Sequence, residues 1–296
     1  MNPKTEGKTL LSDKNVFRAK SLGLHLILIV GAAIMLTPLL WMLATALSPN
    51  TKIPPTSLIP HDITFQNFIE AWNFPKAFSP DPTRPVTMGT FFLNSLICTV
   101  MITIFGIIVD SLAAYVLAFK DFPGKNLCIF LALATMMIPF YVTLVPEYLI
   151  IRNLGWMNTY KAMIIPFLAS GMGISLFRSH FLSIAKELEE CGKLDGASNF
   201  RIYLTIVMPI SKPIIGTMTI LKAMWSWNQY MWPLIVTTDI SKKPIQVALN
   251  MFRGLNLTEW GYMCAGMTMA ILPLVILFLC CQKQFIGGLQ AGAVKG

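Results

Sequence analysis

The chain is predicted to be an all-α membrane protein with six transmembrane helices, and three observations predict it. Of its 296 residues 55% are apolar and only 12% charged, whereas soluble chains carry about a quarter charged residues. Six apolar stretches, at 22–47, 91–119, 127–151, 162–181, 213–236 and 261–281, reach the roughly 20 residues a helix needs to cross about 30 Å of hydrocarbon. The stretches are continuous and hold Gly and Pro inside them, unlike the alternating strands of about 10 residues that build a membrane barrel.

Residues 1–21 form a basic N-terminal tail with Lys4, Lys8, Lys14, Arg18 and Lys20. The first span ends in Ala44-Thr45-Ala46, a small-residue run like a signal-peptidase site. Its apolar core is much longer than the roughly 7 to 15 residues of a signal peptide, so it is expected to stay in place. Next comes an outer loop, 48–90, that carries 8 of the 19 prolines and is expected to be irregular but restrained. Within it Phe65, Phe68, Ile69 and Trp72 recur at helical spacing after Thr64, a suitable N-cap. That short helix either lies at the bilayer interface or offers a docking surface to an extracytoplasmic partner.

The spans contain helix breakers: Pro38, Pro139, Pro146, Pro166, Gly171, Gly173, Pro233 and Pro273. In hydrocarbon, backbone groups freed at such breaks must be re-satisfied by neighbours or water, so breaks gather where helices line a cavity or move. Ser111, Ala113 and Ala114 permit close helix approach. Asp110, Glu147 and Lys222 are ionisable residues at depth, each costing on the order of 3 kcal/mol unless it faces a polar interior. Glu147 and Lys222 are candidates for a hydrated substrate path. For Asp110 a hydrogen bond inside the bundle is at least as good a reading as a transport role.

The fifth span ends in Trp225-Ser226-Trp227-Asn228-Gln229-Tyr230-Met231-Trp232-Pro233. Rings that cover C–H faces beside amides that meet hydroxyls are the chemistry of a sugar site. An interfacial aromatic belt is the competing reading, but Asn228 and Gln229 are costly on a lipid-facing turn. Trp225, Trp227, Asn228, Gln229 and Tyr230 therefore join Lys222 and Glu147 as substrate-path candidates.

Between the fourth and fifth spans lies a polar island, 183–212. Residues 186–193 suit about two turns of helix, Gly196 suits a positive φ, and Ser198 suits the N-cap of a second helix. Phe200, Tyr203, Leu204 and Val207 give that second helix an apolar face up to Pro209, where it breaks. Helix, turn and helix are expected to lie flat at the membrane surface with their acids outward, offering a grip to a soluble partner.

Lysine and arginine set the orientation. With both termini in the cytoplasm, that side receives 14 of the 23 basic residues against 8 in the outer loops. The net charge of +9 is then a matter of topology and anionic headgroups and needs no nucleic-acid partner. None of the six cysteines falls in an outer loop, so a disulfide framework has no support. No internal repeat appears, and 22–281 is treated as one membrane domain followed by a Gly-rich tail, 282–296, also cytoplasmic.

At the island the residues resemble a known family. Glu190-Cys191-Gly192-x-x-Asp195-Gly196-Ala197 followed by Ile206-Val207-Met208-Pro209 is similar to the EAA motif of ABC importer permeases, with Cys191-Gly192 where the family usually has two alanines. Ser111-Leu112-Ala113-Ala114-Tyr115, Phe122-Pro123-Gly124-Lys125, Trp227-Asn228-Gln229-Tyr230 and the tail from Gly287 to Gly296 resemble carbohydrate-uptake permeases of the MalG type over nearly the whole chain. The resemblance implies type I ABC importer architecture with a cytoplasmic coupling helix in a bacterial inner membrane. It implies as partners a second homologous permease, two copies of an ABC ATPase and an extracytoplasmic solute-binding protein, with a sugar-like solute. It further implies ATPase coupling through Glu189, Glu190, Asp195, Gly196, Ala197 and Pro209, and contact of the tail residues Gly292, Val294, Lys295 and Gly296 with the ATPase. ATP and Mg are expected in the partner subunits, with no cofactor on this chain.

The chain is not expected to be an enzyme. It has no G-x-x-x-x-G-K-[ST], since Asn2 stands where the first Gly would precede Gly7-Lys8-Thr9, and no H-E-x-x-H. His25, His61 and His180 are scattered without metal-ligand spacing. The Trp-Asn-Gln-Tyr run with Phe167-Leu168-Ala169-Ser170 also resembles the permease of glycerol-3-phosphate uptake, which keeps a polyol-phosphate importer open as an alternative. An ion-coupled secondary transporter using Asp110 and Glu147 is a further one, although it has no use for the island.

Overall fold

A computed structural model of the chain describes residues 3–49, 59–60, 62–79, 81–83, 85–252 and 259–293. Among them there is no strand. Three helices are long and apolar enough to cross a membrane unaided, within α1 (Pro3–Leu47), α3 (Met88–Phe119) and α14 (Trp260–Ala293), and three bent helix pairs bring the number of candidate spans to six. Between the first two lies α2, Gln66–Asn73.

The bends have local causes. The stretch expected as one third span is α4 (Lys125–Met137) and α5 (Phe140–Asn153), turned by 104°. Ile138 and Pro139 are both extended there, as the residue before a proline is sterically driven to be. The fourth span is α6 (Tyr160–Ile164), a short 3₁₀ turn, and α7 (Gly171–Phe181), bent by 41°. Ser170 caps α7 by accepting the Gly173 N–H at 3.0 Å.

Next come α8 (Lys186–Leu194), α9 (Asn199–Ile202), a π turn at Tyr203–Val207 and α10 (Met208–Ile210), after which the chain turns 82° at Ser211 into α11, Lys212–Trp227. The fifth span was expected over 213–236 with Pro233 as a breaker inside it; α11 ends at Trp227, and a separate α12 covers Met231–Val236. The Asn228 side chain takes the Met224 carbonyl at 2.8 Å, and Pro233 has no N–H for the carbonyl four residues back. A last short helix, α13 (Ile245–Leu249), precedes α14.

Helix α3 is the centre, packed against α7 on one side and α11 on the other, with α14 next to α11 and α1 next to α14. Its buried residues include Asn94, Ser95, Thr99, Gly106, Asp110, Ser111 and Ala114, whereas Leu93, Leu96, Ile104, Phe105 and Ile108 are exposed. Small and polar inside with large apolar outside is the pattern of a helix solvated by lipid. Three apolar clusters fill the bundle. One gathers Phe91, Trp227, Phe252 and Ala265, a second Cys98, Ile102, Met163 and Trp232, and the third joins Tyr115, Phe177 and Phe181 to Ile202, Tyr203 and Val207 of the island.

One sequence expectation about an apolar face is corrected, in the island. In α2 the buried residues are Asn67 and Ala71, while Phe65, Ile69 and Trp72 are exposed. The Asn67 amide donates to the carbonyls of Ala46 and Ser48 at 2.8 and 2.9 Å, so a polar side chain seats the helix. Thr64 receives the Gln66 N–H at 3.1 Å, just ahead of the first turn. In the island Tyr203 and Val207 are buried as expected, but Ile202 replaces Phe200 and Leu204, which are exposed. The π turn adds a residue to the winding there and shifts the phase of the face.

Candidate functional site

The island is built as a rigid knob. Helix α8 has Glu187 and Glu189 in its first turn and Lys193 in its last, the arrangement that complements the helix dipole. It stops at Gly196, whose φ is +75°. The Gly196 N–H donates to the Lys193 carbonyl and the Ala197 N–H to the Gly192 carbonyl, each at 3.0 Å, closing the helix end by glycine at a left-handed position. Ser198 then caps α9 by accepting the Arg201 N–H at 3.3 Å.

Of the island's four acids, expected to face outward, Glu187, Glu190 and Asp195 do and Glu189 does not. Glu189 is 7% exposed and ion-paired to Lys120, the residue that closes α3, and to Lys193 at 3.0 Å. Lys120 also donates to Asn199 at 2.8 Å. Burial pushes the Glu189 carboxyl up, but the two lysines outweigh it and hold the group below its ordinary value. Gly192 is buried against Ile202 and Ile206, where an added Cβ would come within 3.0 and 3.1 Å. The Ser111 and Tyr203 hydroxyls meet at 2.8 Å, a second link between α3 and the island. What the knob offers to solution is Glu187, Glu190, Cys191 and Asp195 with the apolar Leu188, Leu194 and Phe200, of which Leu194 is 87% exposed. Ala197 is half-buried and Pro209 exposed.

The aromatic run divides between two jobs. Trp225, Asn228, Gln229 and Tyr230 line an open cavity of about 400 Å³ with Phe140 and Tyr141. Trp227 turns away from it, buried in the bundle, and its indole N–H donates to the Ala270 carbonyl of α14 at 3.0 Å. Trp225 also borders a second cavity of about 430 Å³, bounded by Ile102, Phe167, Met218, Ser170 and Lys222. Glu147 is half-buried in α5, and its Oε2 has no hydrogen-bond partner; it borders neither of these two cavities.

Asp110 and Lys222, separate candidates in the sequence, are one group. Lys222 Nζ lies 2.8 Å from Asp110 Oδ2. Asp110 also accepts the Ser170 N–H at Oδ1 and the Ser170 hydroxyl at Oδ2, both at 2.8 Å. The group joins α3, α11 and the start of α7, with Asp110 0% exposed. Two glycines make room for it. A Cβ on Gly173 would fall 1.8 Å from Asp110 Oδ2, and one on Gly106 2.8 Å from Lys222 Nζ.

Lys120, Ser170, Gly106 and Gly173 were not singled out for these roles from the sequence. The signal that finds Lys120 is a lone cation at the end of an apolar helix, and for the glycines it is their place opposite a buried charge. Of the tail candidates, Gly292 lies in α14, and Val294, Lys295 and Gly296 lie outside the described residues.

Comparison with known proteins adds independent findings. The family described as "Binding-protein-dependent transport system inner membrane component" matches residues 111–286. A probable ABC transporter permease protein, YurM, of Bacillus subtilis (strain 168) is 38% identical over 262 residues, covering 88% of this chain and 83% of that protein. The arabinooligosaccharides transport system permease protein AraQ of Halalkalibacterium halodurans is 31% identical over 271 residues, 90% of this chain and 93% of its own length. The sn-glycerol-3-phosphate transport system permease protein UgpE of Yersinia pestis bv. Antiqua (strain Antiqua) is 30% identical over 269 residues, 90% and 94% of the two chains. One chain of a solved bacterial ABC transporter involved in the import of the acidic polysaccharide alginate superposes with a TM-score of 0.77 at 24% identity, covering 90% of this chain and 97% of that one. At that identity the likeness is one of fold.

Proposed function

This chain belongs to the family of binding-protein-dependent transport system inner membrane components, and on that premise we propose that it is the permease subunit of an ATP-driven importer of sugars or oligosaccharides. The observation that carries the coupling mechanism is the footing of α8. The Glu189–Lys120 pair holds its inner side to the end of α3 and the Tyr203–Ser111 bond holds the following π turn there, while Glu190, Leu194 and Asp195 stand outward. A soluble ATPase that grips α8 thereby moves the central helix of the bundle.

In this reading two ATPase subunits bind ATP and Mg and close on the cytoplasmic side, where the excess of Lys and Arg also places both termini. Closure pushes α8 as a knob and rocks the spans from inward-facing to outward-facing. A binding protein then delivers solute from the outer side, onto the face that carries the 48–90 loop. Single copies of these helices do not enclose a path, so a second related permease completes it. The cavities beside Trp225 supply ring faces and amides suited to hydroxyl-rich solutes. The tail beyond α14 is assigned to contact with the ATPase, and Gly196, Ala197 and Pro209 to shaping the grip.

A polyol-phosphate importer is the second reading. It is favoured by the 30% identity to the glycerol-3-phosphate permease and by the presence of Lys222 on a cavity wall. An ion-coupled carrier is set aside by family membership. ATP-dependent uptake of the solute held by the associated binding protein separates the two remaining readings. Competition by neutral oligosaccharides supports the first, and competition by sn-glycerol 3-phosphate alone replaces it with the second.

A further inference from the structure

The Asp110–Lys222 pair sits behind a cavity wall, and only one of its members reaches the cavity. Lys222 and Ser170 border the space of about 430 Å³ together with Trp225 and Phe167, whereas Asp110 does not border it and is fully buried. An ammonium in an apolar wall with no counter-ion is a strong anion site, because a charge-assisted hydrogen bond is worth roughly twice a neutral one and desolvation penalises the unpaired ion. Here the counter-ion is built in, 2.8 Å away on the side remote from the cavity.

We propose that Asp110 is a charge-selectivity residue, holding Lys222 as a neutralised part of the wall so that the cavity takes uncharged polar solutes and gives anionic ones no partner. The inference rests on the reading of this cavity as part of the solute path. The carboxylate is fixed by the Ser170 N–H and hydroxyl and cannot swing away from the lysine without losing both bonds to the residue that caps α7. Gly173 and Gly106 leave no room for a side chain where the two charged groups lie, so the ion pair is moulded into the backbone around it. Stability alone does not require this arrangement, since well-packed apolar residues replace buried ion pairs at little or no cost. Asp110 is thus a positioning residue that acts on solute through Lys222.

The test uses the complex purified with its co-purifying ATPase subunit, with inorganic phosphate and sn-glycerol 3-phosphate as probes and the thermal-unfolding midpoint at pH 6 as readout. In the wild type neither probe gives a saturable shift. Asp110→Asn, which keeps the size of the side chain, gains saturable phosphate binding at least about tenfold tighter than the wild type, the scale of one charge-assisted hydrogen bond. Asp110→Asn with Lys222→Met loses it again. A wild-type shift that Lys222→Met abolishes overturns the proposal, as does an assembled Asp110→Asn complex without anion binding. Should Asp110→Asn not assemble, wild type against Lys222→Met decides: no shift in either supports the proposal, and a shift confined to the wild type overturns it. Failure of the permease reading would show instead as a preparation without the ATPase subunit.

Discussion

Glu189 of the surface helix α8 is ion-paired to Lys120, the residue at which the central helix α3 ends. The contact ties an acidic knob to the helix that packs against both α7 and α11. A force on α8 therefore reaches the middle of the bundle through a partly buried charged contact.

Replacing Glu189 by Gln removes one charge and leaves Lys120 under-compensated beside Asn199 and the Tyr115 ring. Losing a hydrogen bond to a charged group costs about 1.5–3 kcal/mol, and the partial exposure of Lys120 places the effect toward the lower end. The expected outcome is a lower thermal midpoint for the purified complex. The pH dependence has a definite sign. Because the Glu189 carboxyl is held below its ordinary value, its contribution is complete above about pH 4.3, the ordinary Glu value, and is lost as pH falls through the lowered one. The difference between wild type and Glu189→Gln should close in acid and stay constant from pH 6 to 8.

Gly192 stands where the resemblance to the EAA motif implies alanine, and the structure gives it a packing role inside the chain. A Cβ there meets Ile202 Cγ1 at 3.0 Å and Ile206 Cδ1 at 3.1 Å, side chains that must give by a few tenths of an ångström. That cost offsets the roughly 1 kcal/mol of helix propensity gained on replacing Gly by Ala. Gly192→Ala should therefore match the wild type in melting and uptake within about 1 kcal/mol. Gly192→Leu should displace α9 and lose both.

At Gly196 the constraint is conformational inside the chain and steric outside it. Its φ of +75° costs an ordinary side chain about 1–2 kcal/mol, while Asn tolerates it. Among the described residues beyond its chain neighbours, nothing lies within 4 Å of an added Cβ. Gly196→Asn should insert and transport near the wild-type level. Gly196→Trp should insert normally and lose uptake, because its bulk lies on the proposed ATPase contact.

The two tryptophans of one turn should separate cleanly. Trp227→Phe deletes the buried bond to the Ala270 carbonyl, costing about 0.5–1.5 kcal/mol of stability. Trp225→Ala removes an exposed ring shared by two cavities and should leave the melting midpoint nearly unchanged while weakening solute uptake. Midpoint and uptake measured on the same two variants check both.

Much of this was legible in the residues. Hydropathy alone marks the six apolar stretches, and Gly196 and Ser198 mark the turn of the island because each supplies a backbone need that few residues meet. The breaks at Pro139 and Pro233 are visible as prolines, but their angles depend on what the freed ends pack against. Which residues of α2 and of the island helix face inward was not legible, for a physical reason. Beside a membrane, apolarity no longer marks the interior, so Asn67 is buried and Ile69 exposed, and a π turn moved the phase that brought Ile202 inward. Asp110 and Lys222 were each conspicuous as charges at depth. Their pairing was not, because it depends on the register of α3 against α11.

The most direct measurement is purification of the tagged chain from membranes in which its neighbouring transport subunits are expressed. The account expects the wild-type chain to bring with it an ABC ATPase subunit and a second permease, and Gly196→Trp, equally inserted, to bring the permease but not the ATPase. A wild-type chain that emerges without an ATPase, or a Gly196→Trp chain that retains it in full, would contradict the assignment of α8 as the coupling element.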